Sequence, residues 1–214
     1  MAMYGDKVTA HKNTQSSLAE KLLCRECESA LNERYDQYGQ SILRNDNKNA
    51  ARHSGGVLFE SIETNRFANF FISILWRMQV SGLEEHNQFS MEAIHEYTIW
   101  KYLNRKITIP ANLYPVALSR LQDREKIFGN NPEHIRLVIM SPFSKRYRDC
   151  TGIRFAFSGF LVEIFIPDIF RFTTNEHCML GMCPSDYFAP YLDIADDVQI
   201  ITGLANAYEK AKMI

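Results

Sequence analysis

Four residues carry the plainest chemistry in this chain: Cys24-Arg25-Glu26-Cys27. A Cys-x2-Cys spacing lets a tight turn aim two thiolates at one metal ion, and a helix starting there favours their negative charge. Structural zinc takes four ligands, so this pair is half a site. The other half is sought in the run from Glu176 to Cys183, where two of His177, Cys178 and Cys183 would complete a tetrahedron if the fold brought that loop to the knuckle. The competing reading of the loop is small apolar cysteines in a Met-rich, partly buried segment. Cys150 has no cysteine nearby and reads as a buried thiol.

Arg77 sits inside an otherwise apolar run, where a charge must be paired or reach water. It reads either as a buried ion pair, with Glu28 or Glu60 as partner, or as a phosphate contact. Lys145-Arg146-Tyr147-Arg148 is the densest basic run and contains a ring that could stack a base. Its alternative is a solvated loop. Asp186, Asp193, Asp196 and Asp197 suggest a divalent cation, but their spacing fits no recognised loop and favours an acidic turn. No Gly-x-Ser-x-Gly, Walker loop, dinucleotide fingerprint or His-Glu-x-x-His is present, which removes the enzyme classes that depend on them.

The elements that must hold these residues are helical first and β-rich later. Ala30, Leu31, Tyr35, Tyr38 and Ile42 recur at helical spacing up to Arg44. A turn-rich loop from Asn45 to Gly56 follows, and Val57–Ile62 is either a short strand or a lead-in. The strongest helix runs from Arg66 to about Ser81, apolar almost all round and so the buried central helix; another runs from Ser90 to about Asn104. Strands are expected at Ile107–Ile109, Tyr114–Leu121, Ile135–Met140, Ile153–Phe157 and Phe160–Ile166, with a tight hairpin at Ser158-Gly159. Residues 171–197 read as irregular and Val198–Lys212 as a terminal helix. The fold class expected is α+β: a helical half around a buried helix, a small, mostly antiparallel sheet and a C-terminal helix. One domain spans 1–214, with at most a subdomain seam near 106 between a helical part (18–105) and a β-rich part (106–214).

Composition sets the outer bounds. With 214 residues, 46% hydrophobic, the chain can bury one sizeable core. A net charge of −1 excludes a global basic field, so any nucleic-acid surface must be a local patch. Five cysteines and a start without a signal peptide point to a cytoplasmic protein. No membrane association is expected, because the most apolar segment, Phe67–Val80, is too short to span and contains Arg77.

The run Leu22-Leu23-Cys24-Arg25-Glu26-Cys27-Glu28, with Leu31 and Tyr35 after it and Phe71-Ile72-Ser73-Ile74-Leu75-Trp76-Arg77 further on, resembles a widespread group of uncharacterised bacterial proteins similar to HNH endonucleases. The likeness covers about residues 10–105, and more loosely the strands around Phe157–Ile166. Fuller members of that group carry an earlier Cys-x2-Cys and a Ser-His-Ile-Ile-Pro-like segment upstream of the knuckle. HNH chemistry needs a histidine general base and a metal ion on a ββα unit. Here the histidine before the knuckle is His11, in Thr9-Ala10-His11-Lys12-Asn13, which departs from that pattern. It is either the catalytic base or a surface histidine on a polar arm.

The resemblance implies a nucleic-acid-associated accessory protein, a degenerate HNH-like chain of a phage-defence or mobile-element system. DNA or RNA would be contacted through Lys145, Arg146, Arg148 and Arg77, with zinc as the one cofactor expected. Two alternatives stand beside it. One is a protein–protein interaction module or homo-oligomer using an aromatic surface near Trp76 and Trp100. The other is an active metal-dependent nuclease whose ligands arrive from distant segments or a second subunit.

Overall fold

The computed structural model describes residues 2–4, 7–9, 22–44, 49–83, 86, 89–127, 135–136, 139–168 and 179–203. Strands β1 (Ala2–Tyr4) and β2 (Lys7–Thr9) pair antiparallel at the N-terminus. Helix α1 (Arg25–Leu31) passes through a π-helical stretch, Asn32–Asp36, into α2 (Gln37–Arg44). Strands β3 (Ala50–His53) and β4 (Gly56–Phe59) form a hairpin, then come α3 (Thr64–Val80) and α4 (Ala93–Leu103). Five strands complete the order: β5 (Val116–Gln122), β6 (Met140–Arg146), β7 (Cys150–Phe157), β8 (Phe160–Pro167) and β9 (Tyr187–Asp193).

Seven of these strands make one sheet in the order β3-β4-β9-β5-β8-β7-β6. Only β5 and β9 run parallel; the other neighbours are antiparallel. The fold is therefore mixed α and β around a mostly antiparallel sheet. That sheet is larger than the small one expected, because the N-terminal half contributes β3 and β4 to it.

Alternation along the strands assigns the two faces. Leu118, Ile153, Phe155, Phe160, Val162 and Ile164 join the core under α3, while Leu121, Ala156 and Leu161 pack with Ile194 and Ile200 on the other side. Rings lock α3 to the sheet: Phe160 lies 5.8 Å from Phe59, Phe59 5.6 Å from Phe67, and Phe67 5.0 Å from Phe71. These are tilted and edge-on separations, which aromatic quadrupoles favour. The first turn of α3 has no side-chain cap at Glu63. Its place is fixed instead by the Thr64 hydroxyl donating to the Cys183 carbonyl and the Glu63 N–H donating to the Tyr38 hydroxyl at 2.5 Å.

The Ser158-Gly159 hairpin is present, with Phe157 opposite Phe160 and φ of 53° and 78° at the two turn residues. Positive φ at both positions marks the turn type whose twist matches its strands. Other expectations need correction. The loop 45–56 contains β3, and the irregular span 171–197 contains β9. Ile107–Ile109 lies outside every strand, and of the described residues in Ile135–Met140 only Met140 belongs to one. Residues 198–203 are helical; the rest of the expected terminal helix lies outside the described residues. No helix among the described residues is long and apolar enough to cross a membrane.

Candidate functional site

Cys24 ends its extended stretch at the N-cap of α1, where its Sγ accepts the backbone N–H of Cys27 at 3.4 Å. Cys24 is exposed and Cys27 partly so, and neither is in a disulfide. A hydrogen bond with Cys24 raises the Cys27 thiol above its ordinary value, while Lys106 pulls it the other way. Backbone donation and the Cys24 thiol hold the Glu26 carboxyl low.

Among the described residues, no second half of a zinc site gathers around this pair. Cys183 sits against the start of α3, its carbonyl taken by Thr64 and its thiol 3.8 Å from the Met179 carbonyl. His177 and Cys178 lie outside the described residues, as does His11. Among the described residues, no three His, Cys, Asp or Glu side chains gather as a metal ion would require. Cys150 is buried, and burial raises its thiol.

Arg77 has found an acid. Its Nη1 and Nη2 donate to Oδ1 and Oδ2 of Asp36 at 3.1 and 2.7 Å, and Glu28 stands 3.9 Å away. Glu28 was one of the partners expected from the sequence; Asp36, the closer one, was not. Arg146 forks onto Asp168 with two bonds of 2.6 Å, and this contact holds the Asp168 carboxyl below its usual range. Lys145 lies over the Tyr147 ring at 5.4 Å, and Arg148 is exposed. The aspartates also have separate structural work. Asp186 accepts from the Ser61 N–H, Asp193 caps the turn at Ala195, and Asp197 binds Arg154 at 2.7 Å.

A cleft of about 990 Å³ opens between the π-helical stretch, the start of α3 and the end of α4, with Arg34, Arg66 and Arg105 on its wall. Two of these are engaged in holding it together. Arg66 Nε donates to the Arg34 carbonyl at 2.6 Å, and Arg34 Nη1 to the Leu103 carbonyl at 3.2 Å.

Two further cations stand against aromatic rings, Lys101 in α4 and Lys106 just past its end. Tyr97 and Trp100 stack at 6.0 Å with 14° between their planes. Lys101 Nζ lies 4.5 Å from the Tyr97 ring centre and Lys106 Nζ 4.2 Å from that of Trp100. Each ring of the stacked pair thus carries an ammonium, a ladder of Lys101, Tyr97, Trp100 and Lys106 in which Tyr97 is exposed and Trp100 packs half-buried against the core. Sequence reasoning missed it, although Tyr97 to Trp100 is a three-residue step and Tyr97 to Lys101 a four-residue step, the spacings that meet on a helix surface. Trp76, expected near the same surface, is 6% exposed and belongs to the core. Comparison with family models, with curated proteins and with solved structures finds no match to this chain.

Proposed function

We propose that the chain is a nucleic-acid-associated accessory protein, of the HNH-like group its two motifs resemble, which holds single strands on the outer face of α4. The observation that carries this reading is the ladder of Lys101, Tyr97, Trp100 and Lys106. Magnitudes favour exchange of a ring partner. An exposed cation–π contact is worth about 0.5–1 kcal/mol, whereas a base stacked on an aromatic side chain is worth about 1–3 kcal/mol. A base can therefore displace an ammonium from its ring, and the freed lysine is left beside the phosphate of the same strand. Arg77 and Arg146 are less suited, since each already faces a carboxylate. Lys145 near the end of β6 and Arg148 in the bend after it offer a second basic contact.

A protein partner is the second reading, favoured by Ile94 and Tyr97, which are 50% and 53% exposed on that helix. Fluorescence anisotropy with labelled single-stranded DNA and RNA oligonucleotides separates the two. The nucleic-acid reading expects binding that weakens with salt and is lost in the Trp100→Ala, Lys106→Ala double variant. Absence of binding at low salt, or binding that the variant leaves intact, would defeat it.

A further inference from the structure

We propose that Cys24 and Cys27 form a redox-active dithiol, which closes to an intrachain disulfide by exchange with small-molecule disulfides such as oxidised glutathione. Three observations converge. The Cys24 Sγ is drawn toward Cys27 by accepting its backbone N–H, so the fold already turns one sulfur to the other residue. Both thiols are free and open to solvent, Cys24 more than Cys27, which gives an attacking and a resolving position. Among the described residues, no third His, Cys, Asp or Glu joins the pair, so nothing described there competes for the sulfurs.

The exchange balances in two steps. The Cys24 thiolate attacks one sulfur of the glutathione disulfide, forming a mixed disulfide and releasing one glutathione thiolate. The Cys27 thiolate then attacks the Cys24 sulfur, making the Cys24–Cys27 bond and expelling the second glutathione. Two electrons leave the dithiol, and its two protons end on the two glutathione thiols.

The sequence supplies a direct readout, because Arg25 lies between the two cysteines. Trypsin cleavage after Arg25 puts Cys24 and Cys27 on separate peptides unless a disulfide joins them. The full-length protein is purified without added metal, its zinc content measured, and then equilibrated in glutathione buffers of graded poise, alkylated and digested. The proposal expects linked peptides under oxidising buffers, release by dithiothreitol, and a buried Cys150 that remains reduced throughout. In the Cys27→Ser variant, Cys24 should instead accumulate as the glutathione mixed disulfide, so the attacking step is read without the resolving one. Three results would overturn it: stoichiometric zinc that protects both thiols, separate alkylated peptides at every poise, or a mixed disulfide on wild-type Cys24 that Cys27 never resolves. None of these results bears on nucleic-acid binding by α4, which is measured separately.

Discussion

Arg77 of α3 and Asp36 of the π-helical stretch meet fork to fork, with contacts of 3.1 and 2.7 Å, and the Ser73 hydroxyl approaches the same carboxylate at 3.5 Å. Their side chains keep only 19% and 10% of their exposure. Removing one partner strands the other charge in a dry place, while removing both does not. Asp36→Ala should therefore cost about 3 kcal/mol, toward the low end for a buried pair because Arg77 is still partly wetted. The Asp36→Leu, Arg77→Met double variant should recover most of that loss. Urea unfolding of the three proteins measures the difference; a double variant as weak as the single would show that packing, and not charge, joins these elements.

Lowering the pH should weaken the protein through His95. That residue is 4% exposed, with Nδ1 3.1 Å from the Tyr114 hydroxyl, and burial holds its imidazole below its ordinary value. Burial also pushes Tyr114 up to about 12, so the phenol stays protonated and pairs with the neutral imidazole. The unfolded histidine takes a proton near pH ~6.5, before the folded one does. Stability is thus fully present above that pH and falls as pH drops from there toward the folded value. The His95→Phe variant should lose this slope relative to the wild type, as read from urea midpoints across that interval. Equal slopes would place the titration on other residues.

Salt dependence should identify which cations touch phosphate. On a single strand each neutralised phosphate contributes about 0.7 to the slope of log K against log salt. Lys106→Ala and Lys101→Ala should each lower the slope by roughly that amount. Trp100→Ala should weaken binding by about 1–3 kcal/mol with little change in slope. The Arg77→Met variant should bind like the wild type, because its charge is already matched by Asp36. Anisotropy titrations over a series of salt concentrations test all four statements together.

Packing between α2 and α3 leaves no room at Gly39. A Cβ built there would lie 2.2 Å from the Phe70 ring. Gly39→Ala improves helix propensity but forces that ring aside, and overpacking of this kind costs about 1–3 kcal/mol. The net effect should be a lower melting temperature, partly restored by Phe70→Leu. A more stable Gly39→Ala protein would mean that the two helices separate readily.

Legibility in the sequence followed amphipathic pattern and failed where pairing decides. The α3 segment, nearly all apolar, and the Ser158-Gly159 turn declare themselves because their physics is local. Strand β3 does not, since Ala50-Ala51-Arg52-His53 has no apolar face and is held as a strand by pairing with β4. Strand β9 is disguised by Pro190, a residue without an N–H, which the fold accommodates opposite Gly56. Similarly, nothing near Arg77 in sequence announces Asp36, whose approach depends on how the π-helical stretch packs against α3. The knuckle was legible as a pair of thiols, and the ladder only as spacing. What each does depends on neighbours that a one-dimensional reading does not supply.

The position of β9 has a consequence for synthesis. It is the last of the described strands to be made, yet it lies between β4 and β5, pairing Phe59 with Tyr187 and Gln122 with Asp193. The β3–β4 hairpin therefore emerges on the order of a hundred residues before the strand that covers its edge, a long-range closure of the kind that slows folding. Until that closure the nascent chain presents the apolar Val57-Leu58-Phe59 edge to any other strand, including that of a second copy. Translation rate and chaperone supply should then govern soluble yield, and a chain cut short before Tyr187 should accumulate as aggregate instead of as a smaller folded protein.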